Sequence, residues 1–325
     1  MSLLEVERAE VAFPTGRGLL TAVDGVSLSV DEGRVLGIVG ESGSGKSVLS
    51  RAIMGLLPRS ARTGAEMQVR LGGRDLRAMA ERDLRRLRGR EMAMVFQDPM
   101  TALNPVMTLG DQIGESLRLH LGMGRRQARD RSVELLAAVG LPQPATRVDQ
   151  HPHQLSGGMR QRVAIAIALA CDPRLLIADE PTTALDVTVQ HGILDLLQRQ
   201  SRERGMAMIL ITHDLGVVAG RADEVAVMYA GRVVEQAPTR TLFAAPTMPY
   251  TRGLLASIPR IEDAPGRRLE AIGGRPPDLV NPPAGCAFAP RCALASDLCR
   301  RQAPPLEGEG PARFACWHPA MEAAE

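Results

Sequence analysis

One eight-residue run, Gly40-Glu41-Ser42-Gly43-Ser44-Gly45-Lys46-Ser47, constrains this chain more than any other stretch. It follows the β-branched run 35–39 and opens a helix-like segment at 47–57, the strand–loop–helix context of a phosphate-binding loop. Glycines let backbone N–H groups close around phosphate oxygens, and the start of the next helix adds partial positive charge. In such a loop Lys46 reaches the β- and γ-phosphates while the Ser47 hydroxyl ligates Mg²⁺. Composition points to the same spot. Of 39 basic side chains 38 are Arg, and Lys46 is the one Lys. A compact ammonium fits between phosphate oxygens where a planar fork does not.

The loop sits in an α/β pattern. Runs at 35–39, 92–96, 175–178, 208–212 and 225–229 lack polar alternation, as strands buried on both faces do. Helix-like segments lie between them, at 47–57, 130–139 and 189–200. Residues 163–169 alternate strictly, which fits a strand, yet the interleaved Ala residues favour a helix, so periodicity leaves both open. After Gly231 the texture changes: Pro238, Pro246, Pro249, Pro259 and Pro265 break long elements, and a Pro/Gly-rich loop follows at 276–290. The expected organisation is a domain at 1–237, with a helical part at about 98–160, and a smaller one at 238–325. A net charge of +2 argues against a whole-chain nucleic-acid or membrane-surface binder. The longest aliphatic stretch, 163–171, is about half of what spans a bilayer. Met1-Ser2-Leu3-Leu4-Glu5 shows no charged-then-apolar leader, so an intracellular protein is expected.

Leu175-Leu176-Ile177-Ala178 ends in two acids, Asp179 and Glu180. Carboxylates at the end of a buried strand are costly unless they meet a cation or perform chemistry. Asp179 is placed to hold Mg²⁺, and Glu180 to polarise a water that attacks the γ-phosphate. Further pieces follow the same order along the chain. They are Gln97 after the run 92–96, Leu155-Ser156-Gly157-Gly158-Met159-Arg160-Gln161, Ala184-Leu185-Asp186, and His213 after Ile209-Leu210-Ile211-Thr212.

Together these pieces resemble the ABC-transporter ATPases over roughly residues 5–235. The resemblance implies an ABC-type P-loop NTPase: a RecA-like core, an N-terminal antiparallel β subdomain, an α-helical signature subdomain and a small irregular C-terminal domain. It makes Gln97 the glutamine-loop residue and a Mg²⁺ ligand, Asp186 part of the D-loop, His213 the switch histidine at the γ-phosphate, and Phe13 the ring on adenine. ATP would lie between the phosphate loop of one subunit and Ser156, Gly157 and Gly158 of another. Closer still, Phe96-Gln97-Asp98-Pro99-Met100-Thr101-Ala102-Leu103-Asn104-Pro105, His151-Pro152-His153-Gln154, Pro249-Tyr250-Thr251 and Gly285-Cys286-Ala287-Phe288-Ala289-Pro290-Arg291-Cys292 look like the oligopeptide/dipeptide importer ATPases. Met248 departs from the His that often precedes Pro-Tyr there.

That resemblance implies an ATP-hydrolysing subunit on the cytoplasmic face of a bacterial membrane, energising peptide import. Its implied partners are two permease subunits, a second and non-identical ATPase, and indirectly an extracytoplasmic solute-binding protein. The alternatives are a soluble ABC ATPase acting on nucleic acid or the ribosome, or an importer ATPase for nickel complexes or glutathione. The Arg-rich stretches 82–90 and 125–131 are interrupted by acids and lack aromatic residues, so they are expected to be solvated helix faces and not nucleic-acid patches.

Cys286, Cys292, Cys299 and Cys316 cluster in the tail. In a reducing compartment four clustered thiols point to metal more than to disulfides. The spacing lacks the close pairs common at zinc sites, whereas iron–sulfur clusters on four thiolates tolerate wider spacing. The expectation is a structural [4Fe–4S] cluster, with zinc or unliganded thiols as alternatives. Cys171 reads as core.

Overall fold

The apolar runs become strands buried along their whole length. In the computed structural model β3 (Val35–Val39), β8 (Leu175–Asp179) and β9 (Ala207–Thr212) have no exposed residue, and β10 (Glu224–Tyr229) is buried beyond its first. The structure describes residues 2–98, 102–183, 185–258, 272–308, 310 and 312–319. Pro99, Met100, Thr101, Ala184, Pro259 and Pro265, singled out in the sequence, lie outside them.

Two compact units form, each discontinuous along the chain: Met1–Leu4, Val30–Arg34 and Leu71–Ile211 make the first, and Glu5–Ser29, Val35–Arg70 and Thr212–Glu325 the second. Residues on both sides of position 237 therefore belong to one unit. The long strands β1 (Ser2–Thr15) and β2 (Gly18–Asp31), which lie mostly in the second unit, are neighbours, and β4 (Arg62–Thr63) runs antiparallel to β1 with Val11 opposite Thr63, before the short strands β5 (Gln68–Leu71) and β6 (Arg74–Asp75) follow along the chain. β3 runs parallel to β10, setting Leu36 opposite Glu224 and Val39 opposite Val227. β10 turns back antiparallel onto β11 (Arg232–Pro238), with a register shift between Val227 and Met228. The tail returns to the same sheet: β12 (Arg313–Phe314) pairs with β11. Helix α1 (Lys46–Ile53) follows β3 through the glycine-rich loop.

In the first unit β7 (Met92–Val95), β8 and β9 are consecutive parallel strands. After the short helix α2 (Glu81–Leu87), two helices joined by a three-residue connection, α3 (Leu109–Leu121) and α4 (Arg125–Ala138), pack on each other. Thr108 caps α3 by accepting from the Asp111 N–H, and Gly122 ends it in the left-handed conformation. Residues 163–168 are helical, inside α6 (Gly157–Ala168), which follows the single turn α5 (Pro144–Arg147). The strand-like alternation has a physical cause. Helix α6 touches α3, α4, β7 and α7 (Val187–Arg204), so it is covered on several sides and carries no single apolar stripe. The Arg-rich stretches pair with acids, Arg85 and Arg88 with Glu81, Arg129 with Asp149 and Arg131 with Glu134. Among the described residues no helix is long and apolar enough to cross a membrane.

The start of β3, and hence the loop it feeds, is set by Asp223. Its carboxylate accepts from the Val35 N–H at 2.8 Å while its own N–H donates to the Val35 carbonyl at 2.8 Å. Asp223→Ala leaves the Val35 donor without that acceptor and should cost about 1–3 kcal/mol. The shift in denaturant midpoint, at constant slope, measures it.

Candidate functional site

Between β3 and α1 the chain passes close under its own neighbours. Gly40 and Gly45 adopt φ of 154° and 99°. A Cβ on Gly45 would strike the Ala22 carbonyl oxygen, and one on Gly40 the Met228 carbonyl oxygen. Only glycine satisfies both the backbone conformation and the clearance at these two positions. Lys46 is 5% exposed, and its ammonium donates to the carbonyls of Gly40 at 2.7 Å and Glu41 at 3.0 Å. The loop is also tied to the turn between β10 and β11, since the Gly231 N–H donates to the Ser44 carbonyl at 3.1 Å. Ser42 and Gly43 lie exposed at its tip, and Ser47 sits half-buried in the first turn of α1. This unit also carries Phe13, half-buried on β1, and His213, exposed just past β9.

The acids lie in the first unit. Asp179 is 2% exposed at the end of β8. Glu180 then takes a left-handed turn, φ 45°, with its N–H donating to the Ile211 carbonyl at 3.0 Å. A non-glycine residue in that region stores strain, a recurrent property of functional sites. The Glu180 carboxylate accepts from the Gln97 amide at 3.0 Å and from the Thr183 hydroxyl at 3.0 Å. The structure thus brings Gln97 and Glu180 together across 83 residues of sequence. Thr183 has no role in the sequence reading; its signal is the tight Pro181-Thr182-Thr183 turn that points it back at Glu180.

Ser156 caps α6, its hydroxyl accepting from the Met159 N–H at 3.4 Å. Gly158 leaves room for Val189, because a Cβ there would meet the Val189 side chain at 2.6 Å. Asp186 caps α7, accepting from the Val189 N–H at 3.0 Å. The starts of two helices therefore meet. The first-turn N–H groups of α6, at Gly157 and Gly158, are the donors that a helix leaves for an anion.

The four tail cysteines line one pocket together with Phe288 and Trp317. The Cys286 N–H donates to the Cys299 carbonyl at 2.7 Å, which closes the tail on itself. Burial pushes the thiols of Cys286, Cys292 and Cys316 above the ordinary range, and neighbouring thiols push the same way. Backbone N–H groups two residues on, at Phe288, Leu294 and His318, act against that rise. Among the described residues no group of three or more His, Cys, Asp or Glu side chains is arranged to hold a metal ion. The expected cluster and its zinc alternative therefore find four thiols at one pocket but no preformed ligand set. The sulfurs turn to local partners instead, as Cys299 does to the Ser296 hydroxyl at 3.5 Å. Cys171 is core, as its sequence context suggests.

Comparison with known proteins covers both parts of the chain. The ABC transporter family matches residues 23–183, and the oligopeptide/dipeptide transporter C-terminal region matches residues 234–299. The oligopeptide transport ATP-binding protein OppD of Salmonella typhimurium is 50% identical over 321 residues, covering 98% of this chain and 95% of that one. The dipeptide transport ATP-binding protein DppD of Bacillus subtilis is 49% identical over 302 residues, covering 93% and 90%. Among solved structures, a dimeric ATP-binding cassette in a post-hydrolysis state, bound to ADP and Pi, matches with a TM-score of 0.66 at 28% identity. It covers 73% of this chain and 99% of its own.

The clearance at Gly45 yields a sharp expectation. Gly45→Ala should leave the circular dichroism spectrum unchanged and weaken ATP binding by at least about a hundredfold, because the strained backbone must open the loop. Equilibrium binding of Mg·ATP to the folded variant decides it, and wild-type affinity would contradict the steric argument.

Proposed function

The chain belongs to the ATP-binding subunits of the oligopeptide and dipeptide ABC transporters, and from that premise we propose that it hydrolyses ATP to drive peptide import through membrane partners. Its fold is the ABC-type P-loop NTPase, and its enzymatic class is ATPase. Such an ATPase uses ATP with Mg²⁺. The alternatives, action on nucleic acid or the ribosome or import of nickel complexes or glutathione, are not favoured by relatives that match the tail as well as the cassette.

The observation that carries hydrolysis is the Glu180 turn, where a strained backbone follows a buried Asp179 and the carboxylate is held by Gln97 and Thr183. In this reading Glu180 accepts a proton from the attacking water, and Gln97 and Thr183 fix its direction. Lys46 leaves the loop carbonyls for the phosphate oxygens, and the loop N–H groups of Gly43, Ser44 and Gly45 orient the phosphates. Ser47, Gln97 and Asp179 are the side chains that would hold Mg²⁺, which supplies charge neutralisation at the phosphates. His213 contacts the γ-phosphate, and Phe13 stacks on adenine. Ser156, Gly157 and Gly158, with Asp186 nearby, serve the nucleotide of a second and non-identical ATPase subunit. Helices α3 and α4 face two permease subunits, which a solute-binding protein supplies, and movement passes between them as a rigid body. The working place is the cytoplasmic face of the membrane, and the cassette is assigned to 1–237 with the extension at 238–325.

Among the described residues the thiols form no preformed ligand set, so the structural [4Fe–4S] cluster we propose for the four tail thiols would require them to turn toward it. All-thiolate donors on one pocket and N–H groups two residues beyond three of the sulfurs support this. Protein purified without oxygen should be brown and contain iron and sulfide in equal amounts. Colourless protein with one zinc per chain would overturn the assignment.

Glu180→Gln tests the catalytic reading. The variant should keep ATP affinity, lose at least about a hundredfold in turnover, the scale of a missing general base, and accumulate an ATP-bound dimer. Undiminished turnover in the assembled transporter would remove Glu180 from that role.

A further inference from the structure

The phosphate loop contains an acid. Glu41 is its second residue, and a carboxylate beside a bound triphosphate repels the ligand unless something neutralises it. Each polar group of Glu41 is engaged. Its N–H donates to the Tyr250 hydroxyl at 3.0 Å, and its carbonyl accepts from Lys46 at 3.0 Å. Its carboxylate takes both arms of one guanidinium, from Arg291 Nη1 at 2.7 Å and Nη2 at 2.9 Å. Two of these three partners lie in the C-terminal region, up to 250 residues away in sequence.

Arg291 is built into place. Its side chain is 4% exposed. Nε donates to the Gly273 carbonyl at 2.8 Å, Nη2 to the Ile272 carbonyl at 3.2 Å and Nη1 to the Tyr229 hydroxyl at 3.2 Å. The guanidinium carbon stands 5.8 Å from the ring centres of both Tyr229 and Phe288. Tyr229, Tyr250 and Phe288 pack on one another with centroids 4.6–5.4 Å apart. A chain with only two Tyr has placed both of them here. A guanidinium is cationic at any working pH, and hydrogen bonding to Glu41 favours that form further. A bidentate fork fixes direction as well as charge, which a Lys ammonium does not.

We propose that Arg291 and Tyr250 are positioning residues for ATP binding: the C-terminal region reaches the phosphate loop through them, cancels the charge of Glu41 and fixes the peptide that Lys46 rests on. The extension is then part of the nucleotide-binding apparatus. The proposal rests on the reading of residues 40–47 as the ATP phosphate site.

The test is equilibrium binding of Mg·ATP to the full-length chain. Arg291→Met should weaken binding about tenfold, the scale of one uncompensated charge at a partly screened site. Adding Glu41→Gln to that variant should restore affinity to within about threefold of wild type, because the repelling charge is gone. A purely structural role for Arg291 predicts no such rescue. Loss below about threefold in Arg291→Met, or a double variant no better than the single, overturns the proposal. Should Arg291→Met fail to fold, the double variant, in which both charges are gone, carries the test: it should bind ATP within about threefold of wild type, and a loss of about tenfold would defeat the charge argument. Lys46→Ala separates the two readings. If it binds ATP normally, the phosphate-loop assignment itself fails; if it loses ATP while Arg291→Met does not, only the present inference falls.

Discussion

Two backbone carbonyls pressing on the phosphate loop define what the rest of this molecule must accommodate. The oxygen of Ala22 on β2 and that of Met228 on β10 occupy the space a Cβ would take at Gly45 and Gly40. The loop is therefore wedged between strands that reach it from distant parts of the sequence. Its shape is inherited from the parallel register of β3 and β10, which Asp223 anchors at one end. Such a loop is rigid before any ligand arrives, and rigidity at an anion site avoids an ordering cost on binding.

Rigid scaffolding also explains how an acid can be tolerated at Glu41. A carboxylate among phosphate-directed N–H groups would be destabilising if left to solvent and the ligand alone. A desolvated Arg, itself held by two carbonyls and two rings, turns that liability into an anchor. Breaking either partner leaves a charge in a poorly solvated place, so the pair is expected to change together or not at all.

Much of this was readable in the residues, and the unreadable part has a clear physical cause. The phosphate loop and the acid pair are local patterns, in which strand, turn and helix follow one another within about twenty residues, so sequence order carries them. Gln97 received its role only by resemblance, its contact with Glu180 was not anticipated, and Thr183 was not assigned a role, because hydroxyl direction depends on a strained turn. Residues 163–168 defeated periodicity, since a helix covered on several sides has no stripe to read. The cysteine spacing suggested metal, but spacing says nothing of where each sulfur points. The Arg291–Glu41 pair spans 250 residues, and no local pattern announces it.

The two-residue strand β12 carries a consequence of its own. Phe314 and Arg313 pair with Glu235 and Gln236, and the Ala315 N–H reaches the Val234 carbonyl at 2.8 Å. Without this short clasp the outer rim of β11 would offer unpaired peptide groups to any passing strand, the ordinary route to sheet-by-sheet self-association. A tail that is poor in regular structure thus acts as a guard rail for the sheet, keeping a densely apolar ATPase core from recruiting copies of itself.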